Sequence, residues 1–374
     1  MPAWAAGSVA VNGRRRCDVV VVGAGIAGLT AARTLLSAGR TVAVHEARDR
    51  VGGRLLSVRE GDGGGAVDLG AAWFWPDELQ VQSLVAELGV RTFGQSLFGD
   101  ALFEPDADGP QRLSGPIDRD SGRFSHGAQS LAVRVADEFP PGTLRLNDPV
   151  AALCVDDDGV TVHAASGAVA AEHVVLAVPP ALAVDSIAFT PDLPARVRLL
   201  AEGTAVWMGG VVKAVAVYDR AFWRDVGLAG AAISHVGPFG ELHDHSGPHG
   251  RPAAISGFAG AGQFAREDCE QVAAAFTGQL TRLFGPQAAT PRQVHVVDWS
   301  RERYTSPAVP SPRASTGTYS HPQLQEPALG RLHWASTETA PSYAGHIEGA
   351  LRAGAAAAKR IIRLTATEGT AHTH

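Results

Sequence analysis

The stretch CDVVVVGAGIAGLTAARTLLSAGRTVAVHEA (residues 17–47) decides the fold of this chain. Four consecutive valines predict a fully buried strand, the glycine-rich turn GAGIAG leads into a helix, and TVAVHEA predicts a second strand that ends in an acid. A strand, helix and strand over about 30 residues is typical of a dinucleotide-binding α/β domain with a parallel sheet.

Each glycine of this turn has a physical reason. Gly23 permits the tight turn, Gly25 lets the backbone approach a pyrophosphate, and Gly28 lets helix and strand pack closely. The helix N-terminus at Ile26 attracts phosphate charge, and Glu46 is placed to bind the ribose hydroxyls. A glycine-rich loop that binds nothing is the alternative, but strand, helix, second strand and acid all stand in the required order. The acid disfavours NADP and leaves NAD and FAD open.

Composition excludes several classes of protein. The 374 residues are 45% hydrophobic with a formal net charge of -6, which is ordinary for a globular protein and gives no reason to bind nucleic acid. No stretch approaches the ~20 apolar residues of a transmembrane helix. Three scattered cysteines predict a reducing compartment, so we expect a cytoplasmic protein, and we expect its first 16 residues to form a loose tail.

The residues that follow resemble a known family. ARDRVGGRLLS (47–57) resembles the second glycine motif of the flavin-containing amine oxidases, the monoamine and polyamine oxidases among them. The resemblance implies FAD, with Gly52 and Gly53 beneath the pyrophosphate and Arg54 neutralising it. VDLGAAWFW (67–75) is similar to the family segment beside the isoalloxazine ring, which implies that Gly70 and Ala71 let the backbone reach the flavin.

The resemblance covers nearly the whole chain. LRLNDPVAAL (144–153) is similar to the strand whose valine backbone bonds the adenine, here Val150. RLHWASTETAPSYAGHIEGALRAGAAAAKRI (331–361) is the most specific match and implies FAD contacts by Glu338 and the backbone of Ile347. The family usually has glycine where this chain has Ser336. Further residues that the resemblance assigns to FAD are Ala47, Arg48, Trp73 and Trp299.

These matches predict the domain organisation. Residues 1–76, 124–190 and 298–365 form a discontinuous Rossmann-like FAD-binding domain of the two-dinucleotide-binding type. Residues 77–123 and 191–297 form an interleaved α+β substrate domain, and residues 366–374 a flexible tail. The sequence predicts helices over 78–89 and 268–285, strands over 211–218 and 231–236, and a loop-like region over 103–123.

A lysine in the strand VVKAVAVY (211–218) is the first catalytic candidate. Only two of the 32 basic residues are lysines, Lys213 and Lys359. Surface positive charges in this chain are therefore arginines as a rule, and a lysine at 213 indicates a specific requirement. Period two places Lys213 on an apolar face with Val215 and Val217. An edge-strand lysine that discourages aggregation is the alternative. The segment resembles the family strand whose lysine holds a water against flavin N5, a task suited to a compact ammonium of adjustable pKa.

The other polar and aromatic residues give weaker evidence about the active site. His243, His245 and His249 fit no metal-ligand spacing and indicate a solvated or pocket-lining loop, so we predict no metal site. Phe74 is a pocket-wall candidate. By alignment, Val309 and His346 occupy the two positions where an aromatic pair stands in oxidases of arylalkyl monoamines, and Ala308 stands where many relatives attach flavin through cysteine.

The sequence thus predicts an FAD-dependent amine oxidase with noncovalent FAD. Its small-molecule amine would lose a hydride to flavin N5, giving an imine and, with O2, hydrogen peroxide. A flavin-dependent desaturase or dehydrogenase is the second reading, and a non-catalytic flavin-binding protein is the third. The sequence predicts no nucleic-acid or membrane partner and leaves a homodimer open.

Overall fold

A computed structural model describes residues 9–11, 14–61 and 65–371 of the chain. The chain forms two compact units, and its strands and helices are numbered in chain order. Unit 1 comprises Met1–Arg54, Leu131–Val206 and Arg303–His374, and unit 2 comprises Leu55–Ser130 and Trp207–Glu302. The sequence-based division differs in that residues 55–76, 124–130 and 298–302 group with unit 2 and residues 191–206 with unit 1.

Unit 1 contains the dinucleotide motif. Its elements are β1 (Val9–Val11), β2 (Arg14–Val22), α1 (Ile26–Ser37), β3 (Val42–His45), most of α3 (Gln129–Asp137), β11 (Leu144–Arg145), β12 (Val150–Asp156), β13 (Gly159–Ala164), β14 (Gly167–Leu176), α4 (Pro180–Ser186), β15 (Ala188–Thr190), α5 (Ala195–Glu202), β21 (Leu332–Trp334) and α8 (Ile347–Ala371).

The described strands of unit 1 form one nine-stranded sheet. Its order is β11-β3-β2-β14-β13-β12-β15, with β1 on β2 and β21 on β14. β2 is parallel to β3 and β14, and β14 to β21, so Val22, Leu176 and Trp334 lie side by side in register. The turns that follow these strands therefore share the carboxyl edge of the sheet, where α/β sheets bind their ligands.

Unit 2 is built from the two remaining segments. Its elements are β4 (Ser57–Glu60), β5 (Gly65–Asp68), β6 (Trp73–Phe74), α2 (Leu79–Glu87), β7 (Thr92–Gly94), β8 (Asp100–Glu104), β9 (Gln111–Leu113), β10 (Gly122–Phe124), β16 (Val211–Tyr218), α6 (Phe222–Asp225), β17 (Leu228–Ser234), β18 (Glu241–Asp244), β19 (Ala253–Gly260), α7 (Cys269–Phe284) and β20 (Gln293–Asp298).

A seven-stranded sheet of order β20-β16-β19-β18-β17-β8-β9 dominates unit 2. Helix α7 begins with a capping box between Asp268 and Gln271 and packs Val272, Phe276 and Leu280 in one apolar cluster with the face of β16 that carries Val212 and Ala214. On the opposite face, Val215 and Val217 pack with Val67 and Leu69. The period-two prediction for β16 is therefore confirmed, and this packing explains why residues 55–76 belong to unit 2.

Three expectations about irregular segments need correction. Val9–Val11 pair antiparallel with Arg14–Arg16, so part of the predicted N-terminal tail extends the sheet, while residues 1–8, 12 and 13 lie outside the described residues. Helix α8 runs to Ala371, into the predicted C-terminal tail, of which 372–374 lie outside the description. The loop-like region 103–123 contains β9, which pairs with β8.

In the described ranges, no helix combines the length and the apolar character needed to cross a bilayer.

Candidate active site

The glycine turn of unit 1 is held by backbone geometry. Gly23 has a φ of +100°, a left-handed conformation that favours glycine. A Cβ on Gly28 would collide with the carbonyl oxygen of Gly23 and would lie 2.9 Å from the Cβ of Ala177, at the end of β14. The first turn of α1 therefore rests directly on the sheet, as the sequence predicts.

The second glycine motif lies against the first. The amide of Gly52 donates to the carbonyl oxygen of Ala24 at 2.9 Å, and a Cβ on Gly53 would lie 3.3 Å from the Cα of Gly25. Gly25 is the N-cap of α1, with no side-chain cap and no acidic residue in the first turn of the helix. A cradle of backbone beside an uncapped helix start fits the negative charge of a pyrophosphate.

Glu46 is buried at the end of β3. Its Oε2 accepts a hydrogen bond from the Ala24 amide at 2.7 Å, and its Oε1 accepts one from the Arg48 amide at 2.9 Å. Each carboxylate oxygen keeps a further acceptor site, so ribose hydroxyls can still bind. Ala47 lies between these anchors, and the Arg48 guanidinium donates to Thr305 Oγ1 at 2.7 Å.

Arg54 and Glu338 bring the second glycine motif and the C-terminal motif together. Arg54 Nη1 and Nη2 donate to Glu338 Oε1 and Oε2 at 2.5 and 3.1 Å, and the Glu338 side chain is fully buried. The sequence assigned both residues to FAD but did not predict that they pair. Nearby in the chain, Ser336 is buried with a φ of −102°, so its backbone does not require the glycine that is usual in the family.

The remaining predicted FAD contacts of unit 1 are also placed. Val150 begins β12, and the adjoining Asp148 accepts from His45 and Ser166, which ties this strand to the end of β3. Ile347 is buried at the first turn of α8. The glycine turn, the carboxylate of Glu46 and the uncapped start of α1 together suit the charge and the size of FAD. Their individual contacts with the cofactor stay predictions.

Lys213 lies on an inner strand. β16 pairs with β19 on one side and β20 on the other, so the edge-strand alternative is wrong. The side chain is 1% exposed, and its Nζ donates to the carbonyl oxygen of Gly70 at 2.9 Å. The ammonium lies 5.2 Å from the ring centre of Trp73 and 5.0 Å from that of Phe258, within cation–π distance.

Burial dominates the electrostatics of this lysine. Removal from water lowers the pKa of Lys213 to about 7; the carboxylate of Asp68 opposes that shift and the guanidinium of Arg123 adds to it. The amine therefore exchanges protons near neutral pH, whereas an exposed lysine stays charged. Sequence reasoning missed Asp68 and Arg123; the only signal for Asp68 is its place in VDLGAAWFW.

Residues that follow β5 in the chain contact Lys213 or lie near it. Gly70 supplies the acceptor, Ala71 follows it, and Trp73 donates its indole N–H to Gln95 Oε1 at 3.1 Å. Phe74 is buried, with its ring on Gly122 and 5.2 Å from that of Phe124. Trp299 is fully buried and donates to the carbonyl oxygen of Leu69 at 2.9 Å, which fits a core role as well as it fits the predicted flavin contact.

Of the three histidines in the predicted solvated or pocket-lining loop, His249 is exposed in a turn, whereas the other two are not solvated. His243 lies in β18, and His245 follows it, fully buried. His243 Nδ1 lies 2.6 Å from Asp118 Oδ1, and its Nε2 lies 3.8 Å from Glu241. Burial lowers the pKa of His243, but the two carboxylates outweigh it and raise it to about 9. Within the described ranges, no group of His, Cys, Asp or Glu could hold a metal ion.

The two predicted substrate positions of unit 1 lie at its surface. Val309 is 83% exposed. His346 is exposed immediately before α8, where its carbonyl oxygen accepts from Thr337 Oγ1 at 2.9 Å and its ring lies 6.2 Å from that of Tyr343.

Comparison with known proteins agrees with this geometry. The family profile described as flavin containing amine oxidoreductase matches residues 26–111 and 94–362. The chain belongs to this family. Its cofactor is accordingly FAD, and its chemistry is the oxidation of amines.

Relatives match over most of their length. A putative flavin-containing monoamine oxidase of Mycobacterium tuberculosis is 29% identical over 93% of this chain and 97% of its own, and a putrescine oxidase of Kocuria rosea is 27% identical over 92% and 95%. The first alignment spans 448 positions, more than the 374 residues here, so that relative carries segments that this chain lacks.

A solved structure shares the fold. Putrescine oxidase bound to putrescine superimposes with a TM-score of 0.81 at 24% identity, covering 93% of this chain and 99% of that one. The Rossmann-like FAD domain with an interleaved substrate domain is thereby confirmed.

Proposed function

We propose that this chain is an FAD-dependent amine oxidase in which Lys213 is the catalytic residue. Bound FAD supplies the electron acceptor: a hydride from the α-carbon of a neutral amine passes to N5, the imine leaves, and O2 takes up the electrons as hydrogen peroxide. The observation that carries the proposal is the burial of Lys213 on an inner strand, beside two aromatic rings.

The side chain of Lys213 is suited to hold water and pass protons. An ammonium has three N–H donors, and the carbonyl of Gly70 takes one, so a second can bind a water molecule. Trp73 and Phe258 exclude bulk water and support the charged form. Because the pKa of the amine is about 7, Lys213 can give a proton to that water or take one from it.

Unit 1 holds and orients the cofactor. The cradle at Gly25 and Gly53 receives the pyrophosphate, and the uncapped start of α1 supplies N–H donors to it. Glu46 binds the ribose, and Arg54, fixed by Glu338, adds a positive charge to the phosphates. Val150 and Ile347 contribute backbone contacts at the adenine and at the flavin ring.

We propose that the FAD is noncovalent, because residue 308 is alanine. Cys17 is buried in β2, where burial raises the pKa of its thiol to about 12, while Cys154 lies in β12 and Cys269 begins α7. After acid precipitation we expect yellow supernatant and a colourless pellet. Flavin that stays with denatured protein would contradict this.

A screen of amines and amino acids tests the reaction. We expect anaerobic bleaching of the flavin absorbance by at least one amine, and peroxide when air is admitted. Bleaching without peroxide would indicate a dehydrogenase or desaturase. No bleaching by any donor, with dithionite still reducing the flavin, would indicate a protein that binds flavin without turnover.

Three free cysteines, one of them exposed, support a cytoplasmic location, which cell fractionation tests.

A further inference from the structure

A buried cluster in unit 2 carries more positive than negative charge. Lys213, Arg123 and Asp68 are each at most 1% exposed, which makes two cations and one carboxylate. Their mutual electrostatic influence appears in all three: Asp68 acts on both cations, and Arg123 acts on Lys213. An uncompensated charge in such surroundings is costly, so the excess positive charge favours loss of a proton from one of the two cations.

Carboxylates outside the cluster act on it unequally: Asp118 and Asp244 act on Arg123, whereas Asp68 is the carboxylate that acts on Lys213. The Nε2 of His245 accepts from the Asp68 amide at 3.0 Å, and burial, Arg123 and Lys213 hold the pKa of this ring well below its usual range, so it stays neutral. His243 has Asp118 and Glu241.

Asp244 also has hydrogen-bond partners of its own. It accepts from Trp223 at 2.9 Å and from Arg224 at 2.8 Å, so it offers Lys213 no counter-ion.

Arginine and lysine respond differently to this shortage. A guanidinium does not lose its proton in a protein, whereas an amine does so readily when it is desolvated. Three carboxylates, those of Asp68, Asp118 and Asp244, support the charge of Arg123, but only Asp68 supports that of Lys213, so Lys213 is the group that loses its proton. The identity of residue 123 as arginine thus matters for the state of residue 213.

The structure fixes Arg123 and Asp68 in place. Arg123 is the register partner of Trp73, donates Nη1 to the carbonyl oxygen of Ser246 at 2.9 Å, and lies 5.4 Å over the ring of Phe93. Oδ1 of Asp68 accepts from Ser57 Oγ at 2.6 Å and from the Ala128 amide at 2.8 Å. Within the described chain, Arg123 Nε and Asp68 Oδ2 are buried without a partner, one a donor and the other an acceptor.

We propose that Arg123 is a positioning residue that sets the charge of Lys213, by compensating Asp68 and so depriving the lysine of a counter-ion. Burial raises the pKa of Asp68, and Arg123 opposes that rise more strongly than Lys213 does, so Arg123 is the cation that most favours the carboxylate form of Asp68. Only the catalytic consequence, the protonation state of the amine that handles water, rests on the proposed function.

Because the chain contains only two lysines, the protonation of Lys213 can be measured directly. With [ε-13C]lysine in the FAD-loaded full chain, an NMR spectrum contains two side-chain signals, Lys213 and Lys359. Lys213→Met assigns them, and the exposed Lys359 reports ordinary lysine behaviour. The readout is a titration and needs no turnover, so failure of the proposed reaction would not affect it.

Opposite shifts are expected from the two partners. Arg123→Gln should move the Lys213 midpoint upward from about 7, because Asp68 becomes its counter-ion. Asp68→Asn should move it downward. Arg112→Gln, which removes a half-exposed surface charge of unit 2, should change nothing. An unchanged or lowered midpoint in Arg123→Gln overturns the proposal; if that variant does not fold, an unchanged midpoint in Asp68→Asn overturns it.

Discussion

The glycine cradle of unit 1 and the lysine cluster of unit 2 are specified in different ways. The cradle uses backbone atoms from short contiguous motifs, in which a collision or a positive φ requires glycine at residues 23, 28, 52 and 53. The cluster uses side chains from β5, β10 and β16, segments that are far apart in sequence. A backbone site can be read from local spacing, whereas a charge balance exists only once the strands are assembled.

The largest effect is expected from adding one methyl group to the cradle. Gly28→Ala places a Cβ against the Gly23 carbonyl oxygen, so we expect loss of bound FAD and about 1–3 kcal/mol lower free energy of unfolding. The flavin-to-protein absorbance ratio and urea unfolding measure both. The matched control is Gly278→Ala in α7, where a Cβ meets no described atom within 4 Å, and a gain of about 0.5–1 kcal/mol is expected. Normal flavin content in Gly28→Ala would break the comparison.

The second largest effect concerns the cluster. Lys213→Met removes a positioned donor while leaving the cradle intact, so flavin reduction or its reaction with O2 should slow by roughly a hundredfold with FAD retained. Stopped-flow half-reactions measure this, and Lys359→Met is the exposed control. A variant that binds FAD and turns over at the wild-type rate would show that Lys213 is structural.

A smaller effect is expected from the charge of His243, which lies near the cluster. The pKa of His243 is raised to about 9 from 6.5, so its stabilisation is fully present below pH 6.5 and is lost as pH rises through 9. His243→Gln should therefore cost on the order of 2 kcal/mol at pH 6 and progressively less towards pH 9.5. Urea unfolding at several pH values measures this. Asp118→Asn should follow the same trend, and a cost independent of pH would contradict the assignment.

The smallest effect is one of substrate preference. Val309 and His346 provide no pair of aromatic faces, so the enzyme should favour polar amines over benzylamine and phenethylamine by up to roughly tenfold in kcat/KM. Steady-state assays of both groups decide this. Highest kcat/KM for the plain arylalkylamines would show that other residues guide the amine.

Much of unit 1 can be predicted from sequence because its motifs act locally. The strand, turn and helix over 17–47 and the helix start at Ile347 follow from spacing and resemblance. The pairing of Arg54 with Glu338 does not, because it joins residues 284 positions apart.

Unit 2 resists prediction where polar sequence adopts regular structure. β9 consists of exposed Gln111–Leu113 and has no apolar alternation, so the hairpin with β8 is hidden in a stretch rich in glycine, proline and aspartate. The place of Lys213 on an inner strand depends on which strands pair with β16. Arg123 lies in that same polar stretch, and no local pattern distinguishes it from surface arginines.

Helix α8 comes from the last part of the chain and yet packs on α1, near the first. A Cβ on Gly354 would collide with the carbonyl oxygen of Ala27, so the two helices are in direct contact. During synthesis α1 leaves the ribosome long before α8 exists, and nothing from that end of the chain can yet cover it. Unit 1 can therefore complete its core only after α8 has been synthesised, and stable loading of FAD should wait for that helix.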